Sequence, residues 1–129
     1  MFSELDKYTN RGNFQYTKGD SFIEMSKILP NLPGIFYVFR LSQGKIEIVY
    51  ISKTENTGVK LREKIRALET DIKWKHFVDR KFISEKIDGL ELYWVITSDG
   101  THSDTPATIE NQLLQNYKAV YGKLPMWNR

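Results

Sequence analysis

GIFYVFRLSQGKIEIVYIS, residues 34–52, is the stretch that decides the fold. It follows a turn containing Pro30 and Pro33 and carries two β-prone runs, Ile35–Leu41 and Ile46–Ser52. In the second run Ile46, Ile48 and Tyr50 alternate with Glu47, Val49 and Ile51. Between the runs lies Ser42-Gln43-Gly44-Lys45, a polar loop with one glycine. Two such runs joined by a short glycine-containing loop predict an antiparallel hairpin. The runs are more apolar than simple alternation requires, which places the hairpin in the middle of a sheet.

Upstream, residues 1–19 are polar and read as an irregular arm with at most a short helical turn. Ser21 and Glu24 have capping-box spacing, and Phe22, Met25 and Leu29 line one helical face, ended by Pro30 and Pro33. Downstream of a polar loop at Lys53–Gly58, Leu61, Ile65, Leu68 and Ile72 form an amphipathic stripe. Arg62 and Arg66 share a face of that helix. At ~100° per residue Arg62 stands about 60° from Ile65, at the edge of the stripe. There it either points along the sheet or extends its guanidinium to water.

Lys73–Ile83 is rich in aromatic and basic residues, among them Trp74, His76, Phe77, Arg80 and Lys81. It reads as a second short helix, with Phe77, Val78, Phe82 and Ile83 inward. Asp88-Gly89 marks a turn, and Leu90–Thr97 a third strand. After the polar loop Ser98–Thr105, Thr105-Pro106 opens a helix that Gly122 stops, giving residues 106–121.

The 129 residues fit one domain, with 1–32 as an N-terminal arm and helix and 33–129 as the core. Composition, 40% hydrophobic and 27% charged, suits an ordinary packed core. The chain has no cysteine, which excludes disulfides, thiolate catalysis and cysteine-ligated zinc and fits a cytoplasmic setting. No apolar run reaches membrane-spanning length, and the opening MFSELDKYTN lacks signal-peptide character, so neither a membrane nor a secreted location is expected. Residues 58–86 hold nine Lys/Arg against five Asp/Glu, whereas the rest of the chain holds ten against eleven. A basic middle segment suits a polyanionic partner, though a solvated helix surface would carry the same charges.

The most informative residue is Glu110. With Ile109 at 0°, an ideal helix at ~100° per residue places Leu113 near 40°, Tyr117 near 80° and Tyr121 near 120°. Glu110 falls near 100°, inside this apolar arc, with Asn111, Gln112 and Gln115 opposite. A glutamate on a buried face must be paired, protonated or metal-bound. A lone carboxylate in a cleft with tyrosine and arginine suits one hard divalent cation, and a structural ion pair with Arg62 or another Lys or Arg is the alternative. At the C-terminus, an apolar tail ending in Trp127-Asn128 is expected to dock Trp127 on the core and so to fix Asn128.

Taken in order, these residues resemble the GIY-YIG nuclease family over about residues 33–129. The two name-giving tripeptides correspond to Gly34-Ile35-Phe36 and Tyr50-Ile51-Ser52, followed by Arg62, Glu110 and Asn128. The resemblance implies a small α/β (α+β) domain, a three-stranded antiparallel sheet flanked by helices. It also implies hydrolysis of DNA phosphodiester bonds with one divalent ion, Mg²⁺ or Mn²⁺. In that scheme Tyr50 lies beside the attacking water, Arg62 binds the scissile phosphate and Glu110 holds the metal. Asn128 supports the site, and Arg66, Tyr37 and His76 are further candidates for binding or supporting nucleic acid. Such chemistry needs in-line positioning and charge stabilisation, which an arginine fork and a metal ion supply.

Two positions depart from the pattern. Phe36 stands where the family usually has tyrosine, and Ser52 where it usually has glycine. Three readings follow: an active endonuclease on DNA, with branched DNA or RNA as other substrates; a catalytically weakened nucleic-acid-binding module that keeps the basic segment and Trp74, Phe77 and Tyr37 for backbone and base contacts; and a structural or interaction domain.

Overall fold

The computed structural model describes residues 2–54, 60–98 and 101–128. The polar loop expected at Lys53–Gly58 therefore lies largely outside the described residues. The hairpin forms as its sequence requires. Strand β2 (Gly34–Ser42) turns through Gln43 and Gly44 into β3 (Lys45–Lys53). Both turn residues have positive φ, 52° and 77°, the left-handed pair that matches the twist of two-residue hairpins.

The sheet has four strands rather than the three expected, in the order β1-β4-β2-β3. The extra strand, β1 (Arg11–Tyr16), comes from the arm that reads as irregular. Its sequence, RGNFQY, has no β-branched residue and carries Gly12, so intrinsic propensity does not reveal it. Pairing with β4 (Ile87–Ile96) supplies what propensity lacks, and the Trp94 ring covers Gly12 so closely that a Cβ there would lie 2.7 Å from it. Strand β4 begins earlier than predicted, with Asp88-Gly89 inside it rather than forming a turn. β2 is interior, but β3 is an edge strand.

The pairing of β2 with β3 contains a bulge. Val38 faces Tyr50 and Phe39 faces Ile48, leaving Val49 as an extra residue. The alternation read across 46–51 is therefore broken. Ile48 and Ile51 pack on one face of the sheet, with Ile35 and Tyr37, whereas Val49 and Tyr50 pack on the other, with Phe36 and Val38.

Two apolar layers result. Over the Phe36 face lie α1 (Phe22–Ser26), α2 (Leu61–Thr70) and α3 (Ile72–Ser84). α1 is capped as its sequence predicts, the Ser21 hydroxyl accepting from Glu24 N at 3.2 Å. Ile72 belongs to α3 rather than to the α2 stripe and is exposed. Asp71 separates the two helices because its carboxylate accepts the N–H groups of Lys73 and Trp74 and caps α3. α3 buries Val78 and Phe82 as expected, but Ile83 is exposed. Over the Tyr37 face lie α4 (Pro106–Tyr121), with the predicted bounds, and the N-terminal arm through Phe2, Leu5 and Tyr8. Tyr8 donates a hydrogen bond to Asp104, in the segment leading into α4. Among the described residues no helix is long and apolar enough to cross a membrane.

Candidate functional site

Each landmark of residues 34–52 has a local physical reason. Gly34 opens β2 against β4, where a Cβ would lie 2.3 Å from the Val95 carbonyl oxygen. Only glycine allows that approach. The start of β2 is also tied to the end of β3: Thr54 N donates to Gly34 O at 2.9 Å, and the Thr54 hydroxyl accepts from Gly34 N at 3.2 Å. Phe36, facing Ser52 across the hairpin, is 0% exposed and packs in the core beside Tyr50. Ser52 is buried as well. Tyr37 is 6% exposed on the far face, stacked on Tyr93, and burial pushes its hydroxyl above the usual range against the opposing pull of Arg11. It is thus a core residue beneath α4, unable to reach a nucleic acid from there.

The C-terminal tail crosses the open edge of β3. Trp127 N donates to Val49 O at 2.8 Å. The Asn128 carboxamide engages Ile51 on both sides, accepting from its N–H at 2.9 Å and donating to its carbonyl at 2.8 Å. Trp127 is buried in the Phe36-side core, as its apolar character predicts. Asn128 is therefore a structural clamp on the Tyr50-Ile51-Ser52 tripeptide.

Beside that clamp lies an open groove of about 830 Å³. Tyr50, Trp74, Phe77 and Trp127 give it aromatic walls, and Lys73, Arg80 and Lys81 give it positive charge. The rings form a continuous series: Tyr50 to Trp74 at 4.9 Å, Trp74 to Phe77 at 5.6 Å, Phe77 to Trp127 at 5.4 Å. Both indole N–H groups are buried without a hydrogen-bond partner among the described residues. Lys73 and Arg80 make no ion pair among the described residues. Lys81 binds Glu85 at 3.0 Å, and Glu85 also binds Arg40 of β2. Burial works against the Glu85 charge, but hydrogen bonds from Lys81 and Arg40 outweigh it and hold the carboxyl below its ordinary value.

His76, which the sequence places among the candidates, is exposed and does not line this groove. The residues that do are readable in the sequence by spacing: positions 73–74, 77, 80–81 and 84 share one face of α3, and His76 falls off it.

Arg62 and Arg66 line a different groove, of about 330 Å³, with Lys27, Asn31 and Glu63 between α1 and α2. Arg62 is exposed, and its Nε donates to Leu29 O at 2.8 Å. A buried ion pair between Arg62 and Glu110 is not formed. α2 and α4 stand over opposite faces of the sheet, yet both start at the end where β2 begins and β3 and β4 finish. Leu61 N bonds Leu32 O there, and Asp104 N bonds Thr97 O.

Glu110 is half-buried rather than central to the buried arc. The arc actually buried is Ile109, Leu113 and Tyr117, because Val120 and Tyr121 on the last turn are 69% and 49% exposed. Tyr121 in solvent and Leu114 only partly buried trim the apolar face on the side of Glu110, which therefore borders the buried arc. Among the described residues no three His, Asp or Glu side chains converge. A cation held by Glu110 would therefore have few protein ligands among the described residues, with water and substrate oxygens completing its shell, a donor set that suits Mg²⁺.

No family model matches the chain, and neither the curated proteins nor the solved structures compared with it give a match.

Proposed function

We propose that this protein is a divalent-metal-dependent endonuclease of the GIY-YIG type, hydrolysing DNA phosphodiester bonds. The observation that carries the reading is the clamp of Asn128 on Ile51, which fixes Tyr50 at the wall of a basic, aromatic groove. Residues far apart in sequence and picked out by the family pattern, Tyr50-Ile51-Ser52 and Asn128, are thereby joined in one structural unit. Gly34, where no side chain fits, and the start of α2 and α4 at one end of the sheet support the same reading.

Tyr50 faces the groove and is suited to orient a water, while Lys73 and Arg80 hold the backbone of the substrate strand. Arg62, at the start of α2, supplies a guanidinium fork for phosphate oxygens. A bound Mg²⁺ or Mn²⁺ neutralises the leaving oxygen. Glu110 is the carboxylate that would hold it.

The second reading is a nucleic-acid-binding module of the same fold. It is favoured by the separation of Tyr50 and Arg62 into different grooves and by the burial of Phe36. A cleavage screen over plasmid, single-stranded, branched and RNA substrates, with Mg²⁺, Mn²⁺ or EDTA, separates the two. Metal-dependent cutting that falls by roughly 100-fold in Glu110→Gln and in Arg62→Ala is expected. Binding without any cutting would leave only the module.

A further inference from the structure

We propose that the Tyr50 groove is built for an unpaired strand, with a base stacked on the Trp74–Phe77 wall and the flanking phosphates on Lys73, Arg80 and Lys81. The inference rests on the reading that the protein handles nucleic acid and names the form of substrate that this groove accepts. Three features carry it. The aromatic rings and the cations line the same groove, and Lys81 Nζ stands 5.5 Å from the centre of the Phe77 ring. A duplex turns phosphate and sugar outward and keeps its π-faces stacked inside, so it could satisfy the cations but would leave the rings against sugar. An unpaired strand offers both a charge and a π-face at every nucleotide.

The second feature is charge. Three cations and one carboxylate, Asp71, line the groove; that carboxylate is engaged by the N–H groups of Lys73 and Trp74, and Lys81 is shared with Glu85, so Lys73 and Arg80 carry most of the charge offered to a strand. Lys73 and Arg80 stand seven positions apart, roughly 10 Å along the helix at about 1.5 Å per residue, enough to meet more than one phosphate. The third is the pair of tryptophans. Trp74 and Trp127 each bury an indole N–H with no partner among the described residues, a burden that a leucine or phenylalanine wall would avoid. Wide flat rings are kept there at a cost in stability, which fits a stacking surface.

The test is binding by fluorescence anisotropy in EDTA, so that no strand is cut. A labelled single-stranded 12-mer, the same strand with abasic nucleotides, and a blunt hairpin duplex serve as probes. The single strand is expected to bind at least tenfold tighter than the duplex and to lose about tenfold when its central bases are removed with the phosphates kept. Trp74→Leu should weaken the single strand about tenfold and leave the duplex unchanged. Lys73→Ala with Arg80→Ala should weaken every probe and reduce the slope of log Kd against log salt by about 1.4 for the single strand. If Trp74→Leu does not fold, the abasic series on the native chain decides. Equal or tighter binding of the duplex, or indifference to abasic nucleotides, overturns the inference while leaving the nuclease reading standing. Binding of no probe, together with no cleavage, overturns both.

Discussion

Asn128 bonds both main-chain groups of Ile51 through one carboxamide, at 2.9 and 2.8 Å, and so stands in for a neighbouring strand along the open edge of β3. Asparagine is suited to this because it offers a donor and an acceptor side by side. Asn128→Asp turns the donor into a second acceptor facing the Ile51 carbonyl. It should cost about 1–3 kcal/mol in urea unfolding and loosen the groove beside it. Asn128→Gln retains the chemistry but not the reach and should be only partly restorative.

Gly34→Ala forces β2 and β4 apart, since the new methyl would meet the Val95 carbonyl oxygen at 2.3 Å. A loss of roughly 2–3 kcal/mol is expected, the scale of overpacking in a rigid interior. Thermal unfolding checks it. Gly44→Ala, in open space at the hairpin tip, should cost less, through its positive φ alone.

Phe36→Tyr restores the tyrosine usual to the family. Because the ring is fully buried beside Tyr50, the added hydroxyl needs a partner within the core. A destabilisation of about 1–3 kcal/mol with no rise in cleavage is expected. A faster enzyme would show that the hydroxyl reaches the groove.

The bridge of Arg40, Lys81 and Glu85 joins the hairpin to α3. The folded-state pKa of Glu85 is lowered, so its stabilisation is present above the ordinary carboxylate range and is lost as pH falls through the lowered value. Glu85→Gln should therefore cost about 1–3 kcal/mol at neutral pH. The gap to the native chain should narrow on acidification below about pH 4. Denaturant midpoints across that range measure it. An unchanged gap would remove Glu85 as the source.

The hairpin, the bounds of α4 and the docking of Trp127 with Asn128 were legible because each depends on neighbours in sequence: β-prone runs about a glycine turn, a Pro start with a Gly stop, an apolar tail. Strand β1 was not, because its residues pair only when β4 is already beside them. The groove escaped for a related reason. Lys73, Trp74, Phe77 and Arg80 share a helix face that leaves out His76, as spacing shows, but only the fold says that this face meets Tyr50 and Trp127. Glu110 was placed too centrally because Leu114 and Tyr121 count as apolar in the sequence, although α4 leaves Tyr121 in solvent and Leu114 only partly buried.

The bulge at Val49 has a consequence for how this strand can change. On its turn-proximal side, even-numbered residues such as Ile48 face α4; beyond it, even-numbered Tyr50 faces the groove. The side chains of one nine-residue strand are thus read in two frames. Deleting Val49 would remove the extra residue and restore strict alternation, with Ile48 still toward α4, Tyr50 still toward the groove and Ile51 toward α4. The bulge is thus where this strand can lose a residue without turning any neighbour over, whereas a deletion elsewhere in it would send one side of the strand to the wrong face.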